Sequence, residues 1–275
     1  MRKIAAYVLF VGVALGSATG CGADGTTTSA PATAPPSTTS ASRTAAPSIT
    51  PSAVAITPSV IASTAPSAEP TTSAPASPTT VRVGAKGPAV IELQQRLTEL
   101  GYWNGKSDGS FGALTRQAVY AVQKAAGLGR DGVVGPKTQA ALDQGVRPTA
   151  RSTRGHVVEI NLKRQLLMIV DDGQISHIFN TATGSNQTYV HDGNTYLADT
   201  PTGRFRVSRQ IDGWRHGPLG PLWRPKYFNG GIAVHGAYSV PPYPASHGCA
   251  RVSIAAMNWL WAHDELPRKT RVWVY

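Results

Sequence analysis

The sequence is poor in cysteine, in charged residues and in aromatic residues, and each scarcity excludes a class of protein. Its 275 residues include two cysteines, so a disulfide-rich secreted scaffold is excluded. Charged residues make up 15% of the chain, too few for a long coiled coil. Aromatic residues make up 7% and form no stripe with basic residues, which argues against a nucleic-acid partner. Long apolar runs are also scarce, which argues against a polytopic membrane protein.

Acidic residues are scarce relative to basic ones. The chain has 26 Lys and Arg against 15 Asp and Glu, for a net charge of +11. Residues 81–275 carry 23 of the basic and 13 of the acidic residues, so the excess positive charge belongs to the part that we expect to fold. Such an excess suits an anionic partner or an anionic environment.

The N-terminus has the pattern of an export signal. Arg2 and Lys3 precede an uncharged apolar run over residues 4–20, which is slightly shorter than the roughly 20 residues of a membrane-spanning helix. The run ends in Ala-Thr-Gly-Cys, which resembles a bacterial lipoprotein processing box. The resemblance implies that residues 1–21 are a signal, that Cys21 is lipidated, and that the protein reaches from the outer face of the cytoplasmic membrane into the wall. An ordinary signal with an incidental cysteine and an uncleaved anchor are the alternatives.

A low-complexity segment follows over residues 22–80. It consists almost entirely of Thr, Ser, Ala and Pro and contains no aromatic residue. Such a segment buries too little apolar area to offset the loss of chain entropy, so we predict a disordered linker. Its prolines favour extended conformations, which suit a spacer between the membrane and the wall.

Residues 81–145 contain an internal repeat that predicts a small all-α domain. The phrase DGSFGALTRQAV, which begins at Asp108, recurs as DGVVGPKTQAAL, which begins at Asp131. Each copy is a turn that leads into a helix, and Pro136 suits a first helical turn. Before the repeat, a further helix is predicted by apolar residues at helical spacing, namely Val90, Leu93, Leu97 and Leu100. The prediction is a three-helix bundle.

This bundle resembles the peptidoglycan-binding domain that accompanies many wall hydrolases and transpeptidases. The resemblance rests on the repeated phrase together with LQQRL and LGYW. The segment from Asn104 to Gly109 also mimics a calcium-binding EF-hand loop. However, Lys106 replaces an oxygen ligand and Thr115 stands where a bidentate Glu is required, so we expect turn-forming residues rather than a calcium site.

Residues 155–275 change from helical to alternating periodicity, which predicts a mainly β domain. Apolar and polar residues alternate over 158–162, and a second run over 165–170 ends in Asp-Asp-Gly, a hairpin signal. Further strands are predicted at 175–182, 203–210, 231–235 and 271–275. Only residues 254–263 have clear helical spacing, so we predict one helix packed on a sheet or barrel.

The residues that can carry chemistry cluster around Cys249. His235 precedes this cysteine by 14 residues and His247 by two. An imidazole beside a thiol raises the thiolate fraction and can shuttle the proton, and Gly248 would leave backbone N–H groups open to a developing oxyanion. The pattern predicts a nucleophile, a base and an oxyanion hole. A buried cysteine beside surface histidines is one alternative, and a zinc site is another, although no paired ligand spacing is present.

The same segment closely resembles the active-site motif of the L,D-transpeptidase family. The motif residues are His235-Gly236 and Ser246-His247-Gly248-Cys249-Ala250-Arg251, with Thr200-Pro201-Thr202-Gly203 similar to an earlier signature of the family. The resemblance implies a β-sandwich-like catalytic fold without a metal or an organic cofactor. It also implies that carbapenem-type β-lactams acylate the cysteine.

The resemblance assigns roles residue by residue. It implies four catalytic residues, with Cys249 as nucleophile, His235 as the imidazole base, and His247 and Gly248 lining the site. It implies substrate contacts for Ser246, Arg251 and Gly236. A structural ion pair is an equal alternative for Arg251.

These features lead us to expect a peptidoglycan L,D-transpeptidase that forms 3→3 cross-links, with stem peptides and glycan as partners. An L,D-carboxypeptidase that uses water as the acceptor and a non-enzymatic wall-binding lipoprotein are the alternatives. The aromatic-rich stretch 214–228 is interpreted either as a lid that excludes water or as ordinary core and loop. Removal of residues 81–145 is expected to weaken wall binding and to spare turnover of soluble stems.

Overall fold

The computed structural model describes residues 80–275. The predicted signal, its Cys21 and the predicted linker up to residue 79 lie outside the described residues. Within the part of the chain that is described, no helix combines the length and the apolar character needed to cross a bilayer.

Three helices come first and confirm the predicted bundle. They are α1 (Pro88–Glu99), α2 (Ala113–Ala126) and α3 (Pro136–Asp143). Proline opens α1 and α3, where its missing N–H has no intrahelical partner to lose. Gly127 ends α2 in the left-handed conformation (φ 70°), which glycine adopts without strain.

Two buried glutamines organise the repeat. The side chain of Gln94 donates to Asp108 Oδ1 and Thr115 Oγ1, both at 3.0 Å, and accepts from the Gly109 N–H at 2.9 Å. The second copy has the same arrangement, formed by Gln123, Asp131, Gly132 and Thr138. The repeated aspartates therefore form turns, as predicted, and their carboxylates are already engaged within the domain.

The remaining elements are twelve strands and one helix within the described residues. They are β1 (Val157–Asn161), β2 (Leu166–Asp171), β3 (Gln174–Asn180), β4 (Thr188–His191), β5 (Asn194–Leu197), β6 (Gly203–Arg206), β7 (Arg209–Gln210), β8 (Trp214–Gly217), β9 (Gly220–Asn229), β10 (Ile232–Ala237), β11 (Ala250–Ser253), α4 (Ile254–Ala262) and β12 (Arg271–Val274). This mainly β domain with one helix near the C-terminus confirms the predicted fold class. Strands β4, β5, β8, β9 and β11 were not predicted.

The strands form two five-stranded sheets and a separate hairpin. One sheet has the order β3-β2-β1-β12-β6, and the other has the order β11-β10-β9-β7 with β8 paired to β9. Strands β4 and β5 pair only with each other. Helix α4 packs on β10, β9 and β11, and it shares its core with the inner face of the first sheet.

Strand β2 is buried on both faces, which explains its continuous apolar sequence. Leu166, Met168 and Val170 belong to the core of the helical bundle, whereas Leu167 and Ile169 belong to the core of the β domain. Side chains alternate between the two faces of a strand, so the same sheet serves two cores. The core of the helical bundle therefore includes side chains of the β domain.

The bundle also covers the edge of the first sheet. Strand β3 is the edge strand, and its Ile178 N–H donates to Gly101 O at 2.8 Å. Ile178 O in turn accepts from the Trp103 N–H at 3.0 Å. An exposed strand edge is a site for aggregation, and here the α1–α2 connection satisfies it.

Candidate active site

Two neighbouring strands and the loop between them position the predicted site. Strands β10 and β11 are parallel, with His235 directly opposite Arg251. Residues 238–249 connect them, and we call this segment the Cys249 loop. Because side chains alternate along a strand, His235 faces the site while Val234 faces the core.

Ser246 holds the end of the Cys249 loop in a tight turn. Its hydroxyl donates to Cys249 O at 2.6 Å and accepts from the Gly248 N–H at 3.0 Å. The prediction that the Gly248 N–H is open to an oxyanion is therefore wrong, because Ser246 already occupies it. The Cys249 N–H has no hydrogen-bond partner among residues 80–275, so it is the donor that remains available.

Thr200 stabilises this turn through its side-chain hydroxyl. Its hydroxyl donates to Gly248 O at 2.6 Å and accepts from the Gly184 N–H at 2.9 Å. Gly248 has φ 138°, and a Cβ there would lie 2.7 Å from Asp199 O, so only glycine fits. The Thr-Pro-Thr-Gly signature thus contributes a buried hydroxyl, a role that its sequence alone did not indicate.

His235 is buried and neutral. It is 5% exposed, and its Nδ1 lies 2.9 Å from Gly236 O. A carbonyl oxygen only accepts hydrogen bonds, so Nδ1 carries the proton and Nε2 is free to act as a base. Burial lowers the pKa of His235 to about 4, with the Arg251 charge acting in the same direction and the bond to Gly236 opposing it.

Gly236 is not among the residues that line the cavity. A Cβ at this position would lie 2.9 Å from Trp223 Cδ1 and 3.1 Å from Met257 Cβ. Glycine is therefore required by close packing, and its carbonyl orients the His235 ring. Gly236 therefore provides close packing and orients His235, and the substrate contact predicted for it has no support from the cavity lining.

Cys249 is half-buried and has a raised pKa. Burial is the largest cause, whereas the Ala233 N–H, which donates to Sγ at 3.4 Å, and the Arg251 charge lower the pKa. The resting pair is therefore a thiol and a neutral imidazole, which differs from the thiolate enrichment expected from sequence. Among the described residues, no hydrogen bond joins Sγ to the ring of His235 or of His247.

A cavity of about 550 Å³ brings the predicted residues together. Five of the seven predicted catalytic and substrate-binding residues line it, namely His235, Ser246, His247, Cys249 and Arg251. Gly236 and Gly248 do not line the cavity. Sequence reasoning missed two further arginines in the lining, Arg209 and Arg215, and no Asp or Glu lines the cavity.

Two hairpins border this cavity. Residues 217–222, at the tip of the β8–β9 hairpin, form one side. Tyr189 of the β4–β5 hairpin forms another, and its ring meets the exposed His247 ring edge-on at 4.7 Å. Within the stretch 214–228, Arg215, the tip and Tyr227 line the cavity, whereas Trp223 packs in the fold and donates to Asn258 Oδ1 at 2.7 Å. The exclusion of water by this stretch stays a prediction.

The zinc site considered as an alternative requires several side chains that converge as metal ligands. No three His, Cys, Asp or Glu side chains within residues 80–275 converge as candidate metal ligands. In particular, His235 uses Nδ1 on a backbone carbonyl and shares the cavity with a cysteine. This geometry matches a nucleophile and base pair better than a metal centre.

The fold and site define a mainly β catalytic domain with a cysteine at the floor of a cavity, joined to a three-helix domain. Residues 155–274 match the family model described as the L,D-transpeptidase catalytic domain, and residues 86–142 match a peptidoglycan binding domain. A crystal structure of the L,D-transpeptidase from Xylanimonas cellulosilytica is 56% identical, with a TM-score of 0.71, and the alignment covers 74% of this chain and 100% of that chain. The chain therefore belongs to the L,D-transpeptidase family.

Curated relatives match over shorter stretches. The chain is 44% identical over 64 residues to a spore cortex-lytic enzyme of Halalkalibacterium halodurans, which is 23% of this chain and 19% of that protein. It is 43% identical over 56 residues to the N-acetylmuramoyl-L-alanine amidase CwlM of Mycobacterium tuberculosis, which is 20% of this chain and 14% of that protein. The chain thus spans about a fifth or less of the length of these relatives.

Proposed function

We propose that this protein is a peptidoglycan L,D-transpeptidase that works through a thioester on Cys249. The observation that carries the proposal is the single cavity that holds the Cys249 thiol, the neutral imidazole of His235 and three arginines. The match to the L,D-transpeptidase catalytic domain supports the reaction class. The match to a peptidoglycan binding domain supports the cell wall as the substrate.

The first half-reaction forms the acyl-enzyme. Cys249 Sγ attacks the carbonyl carbon of the third residue of a donor stem, and His235 Nε2 accepts the thiol proton. The Cys249 N–H stabilises the oxyanion of the tetrahedral intermediate. Collapse of this intermediate breaks the peptide bond, and the imidazolium gives its proton to the departing D-alanine amine. Gly236 O holds Nδ1–H throughout, which keeps Nε2 directed at the reacting atoms.

The second half-reaction transfers the acyl group. An amine of a neighbouring stem attacks the thioester, His235 accepts a proton from that amine, and the proton returns to Sγ as the thiol leaves. A new amide forms and the thiol is regenerated. The hairpin tip at residues 217–222 forms one side of the cavity, next to the place where the acceptor must enter.

The three cavity arginines supply the binding site for anionic groups. Arg209, Arg215 and Arg251 line a cavity without carboxylate side chains. Guanidinium groups pair with carboxylates through two parallel hydrogen bonds, and the free terminus of a donor stem is a carboxylate. We therefore assign substrate binding to these arginines, with Arg251 nearest to Cys249 in sequence.

The location of the protein is part of the proposal. We infer that the signal over residues 1–21 exports the chain, that Cys21 carries the lipid anchor, and that residues 22–80 span the distance to the wall. The helical domain would then bind the polymer on which the catalytic domain acts.

Incubation of the purified protein with disaccharide-tetrapeptides tests the reaction. Mass spectrometry should show cross-linked dimers that have lost one D-alanine, and Cys249→Ala should form none. Tripeptide monomers without dimers would assign the protein as a carboxypeptidase. If wild-type protein gives neither product, the proposed activity is contradicted.

A further inference from the structure

We propose that the helical domain holds the Cys249 loop in its active position, with Gln117 and Arg130 as positioning residues. This inference rests on the proposed function, in which Cys249 is the nucleophile. Gln117, on α2, donates from Nε2 to Val240 O at 3.1 Å. The Arg130 guanidinium, just after α2, donates to Pro242 O at 2.8 Å. Both acceptors belong to the Cys249 loop, so the bundle contacts the loop directly.

Asn180 joins these contacts to the sheet. Its Nδ2 donates to Gln117 Oε1 at 2.5 Å and to Val240 O at 3.2 Å, and its Oδ1 accepts from Lys124 Nζ. With Oδ1 facing Lys124, the Asn180 amide directs its Nδ2 donor toward Gln117 and the loop. The helix, strand β3 and the loop therefore meet in one hydrogen-bonded junction.

Lys124 keeps α2 docked at this junction. Its side chain is 1% exposed, and Nζ donates to Gln165 O and Thr181 O, both at 2.9 Å, as well as to Asn180. Burial lowers the pKa of Lys124 to about 6, so its amine is held at the junction by these hydrogen bonds rather than by its charge. Movement of α2 away from the sheet would remove all three partners, and a buried polar group without partners is costly.

The other end of the Cys249 loop is tied to the same region. The N–H groups of Ala245 and Ser246 both donate to Thr183 O at 2.9 Å. Thr183 is in turn held by the Gln165 side chain, which donates to its hydroxyl at 2.6 Å and accepts from its N–H at 2.8 Å. Because Lys124 binds Gln165 O, both ends of the loop depend on the docked helix.

Ser246 carries this constraint to the nucleophile, since its hydroxyl bonds Cys249 O. The domain that binds the wall is therefore also part of the scaffold of the active site. Displacement of reacting groups by as little as about 1 Å lowers reaction rates strongly. Loss of the loop contacts should consequently slow the chemical step on a small soluble reagent that never contacts the wall.

The test compares acylation of Cys249 by a carbapenem in full-length variants, followed by intact-protein mass spectrometry at several reagent concentrations. Gln117→Met and Arg130→Met remove the two donors and should lower the limiting acylation rate at least about fivefold, with little change in half-saturating concentration. Arg130→Lys keeps an N–H donor and should recover most of the rate. Gln139→Met and Lys137→Met, on the exposed face of α3, are the matched controls and should behave as wild type.

Thermal midpoints of all variants accompany the rates. The comparison of Arg130→Lys with Arg130→Met keeps the test valid if Gln117→Met lowers the midpoint, because that pair differs in the donor. Wild-type limiting rates in both Met variants would overturn the positioning role, as would equal losses in the α3 controls. Absence of any acylation in the wild-type protein would instead contradict the proposed function. Failure of the positioning role and failure of the proposed function are therefore distinguishable.

Discussion

His235 and Cys249 form an uncharged pair in the free protein. Burial lowers the pKa of the imidazole to about 4 and raises the pKa of the thiol above its ordinary value. Both shifts have the same cause, since a low-dielectric site disfavours charged forms. Near neutral pH the imidazole is thus unprotonated and the thiol keeps its proton.

Alkylation of Cys249 by iodoacetamide across pH measures this state. Only the thiolate reacts, so the rate should rise about tenfold per pH unit from pH 6 to 8 without a plateau. Arg251→Gln should slow alkylation at each pH, because the Arg251 charge lowers the thiol pKa. Peptide mapping separates Cys249 from Cys21. A rate that is already constant between pH 5 and 7 would show a thiolate and imidazolium pair instead.

Residue identities at the site could be read from sequence, but their supporting partners could not. Spacing and resemblance singled out Cys249, His235 and Arg251, which the structure brings to one cavity. The hydroxyl of Thr200 reaches Gly248 only through the fold. Such contacts join residues far apart in the chain, and a single sequence carries no signal for their distance.

At the scale of elements, α4 packs on the neighbouring strands β9 and β10, and Gly236 lies at a close contact between them. Trp223 of β9 and Met257 of α4 leave no room for a side chain there. This close packing sets the position of β10 and therefore of His235. The position of the His235 imidazole therefore depends on an apolar contact on the opposite face of its own strand.

Gly236→Ala tests this stack. The added methyl must displace Trp223 or Met257, so we expect a loss of about 1–3 kcal/mol in the free energy of unfolding, measured by urea denaturation. Gly129→Ala is the matched control, because a Cβ there meets nothing within 4 Å, and it should be neutral. Equal stability of the two variants would contradict the packing role.

Three of the strands that were not predicted, β4, β5 and β9, lack a clear strand pattern in the sequence. Residues of β4 and β5 are mostly exposed on both faces, so they show no alternation of apolar and polar residues. Strand β9 contains Pro221 and Pro225, which count against a strand in any pattern analysis.

At the scale of the whole molecule, the helical and catalytic domains are one structural unit. The apolar run of β2 serves both cores, and the buried side chains of Leu166, Met168 and Ile178 face the bundle. Removal of residues 81–145 would expose these side chains, so the expectation that such a deletion spares turnover does not fit the structure. The sequence predicted both domains but not their union, because periodicity shows that a face is buried without showing what covers it.

The central claim is that Cys249 is the nucleophile of an acyl-transfer enzyme. Intact-protein mass spectrometry after exposure to a carbapenem tests it most directly, because the acceptor need not be known. The account predicts a mass increase of one carbapenem in the wild-type protein, located on the Cys249 peptide, and no increase in Cys249→Ala. An unmodified wild-type protein, or an equal adduct in Cys249→Ala, would contradict it.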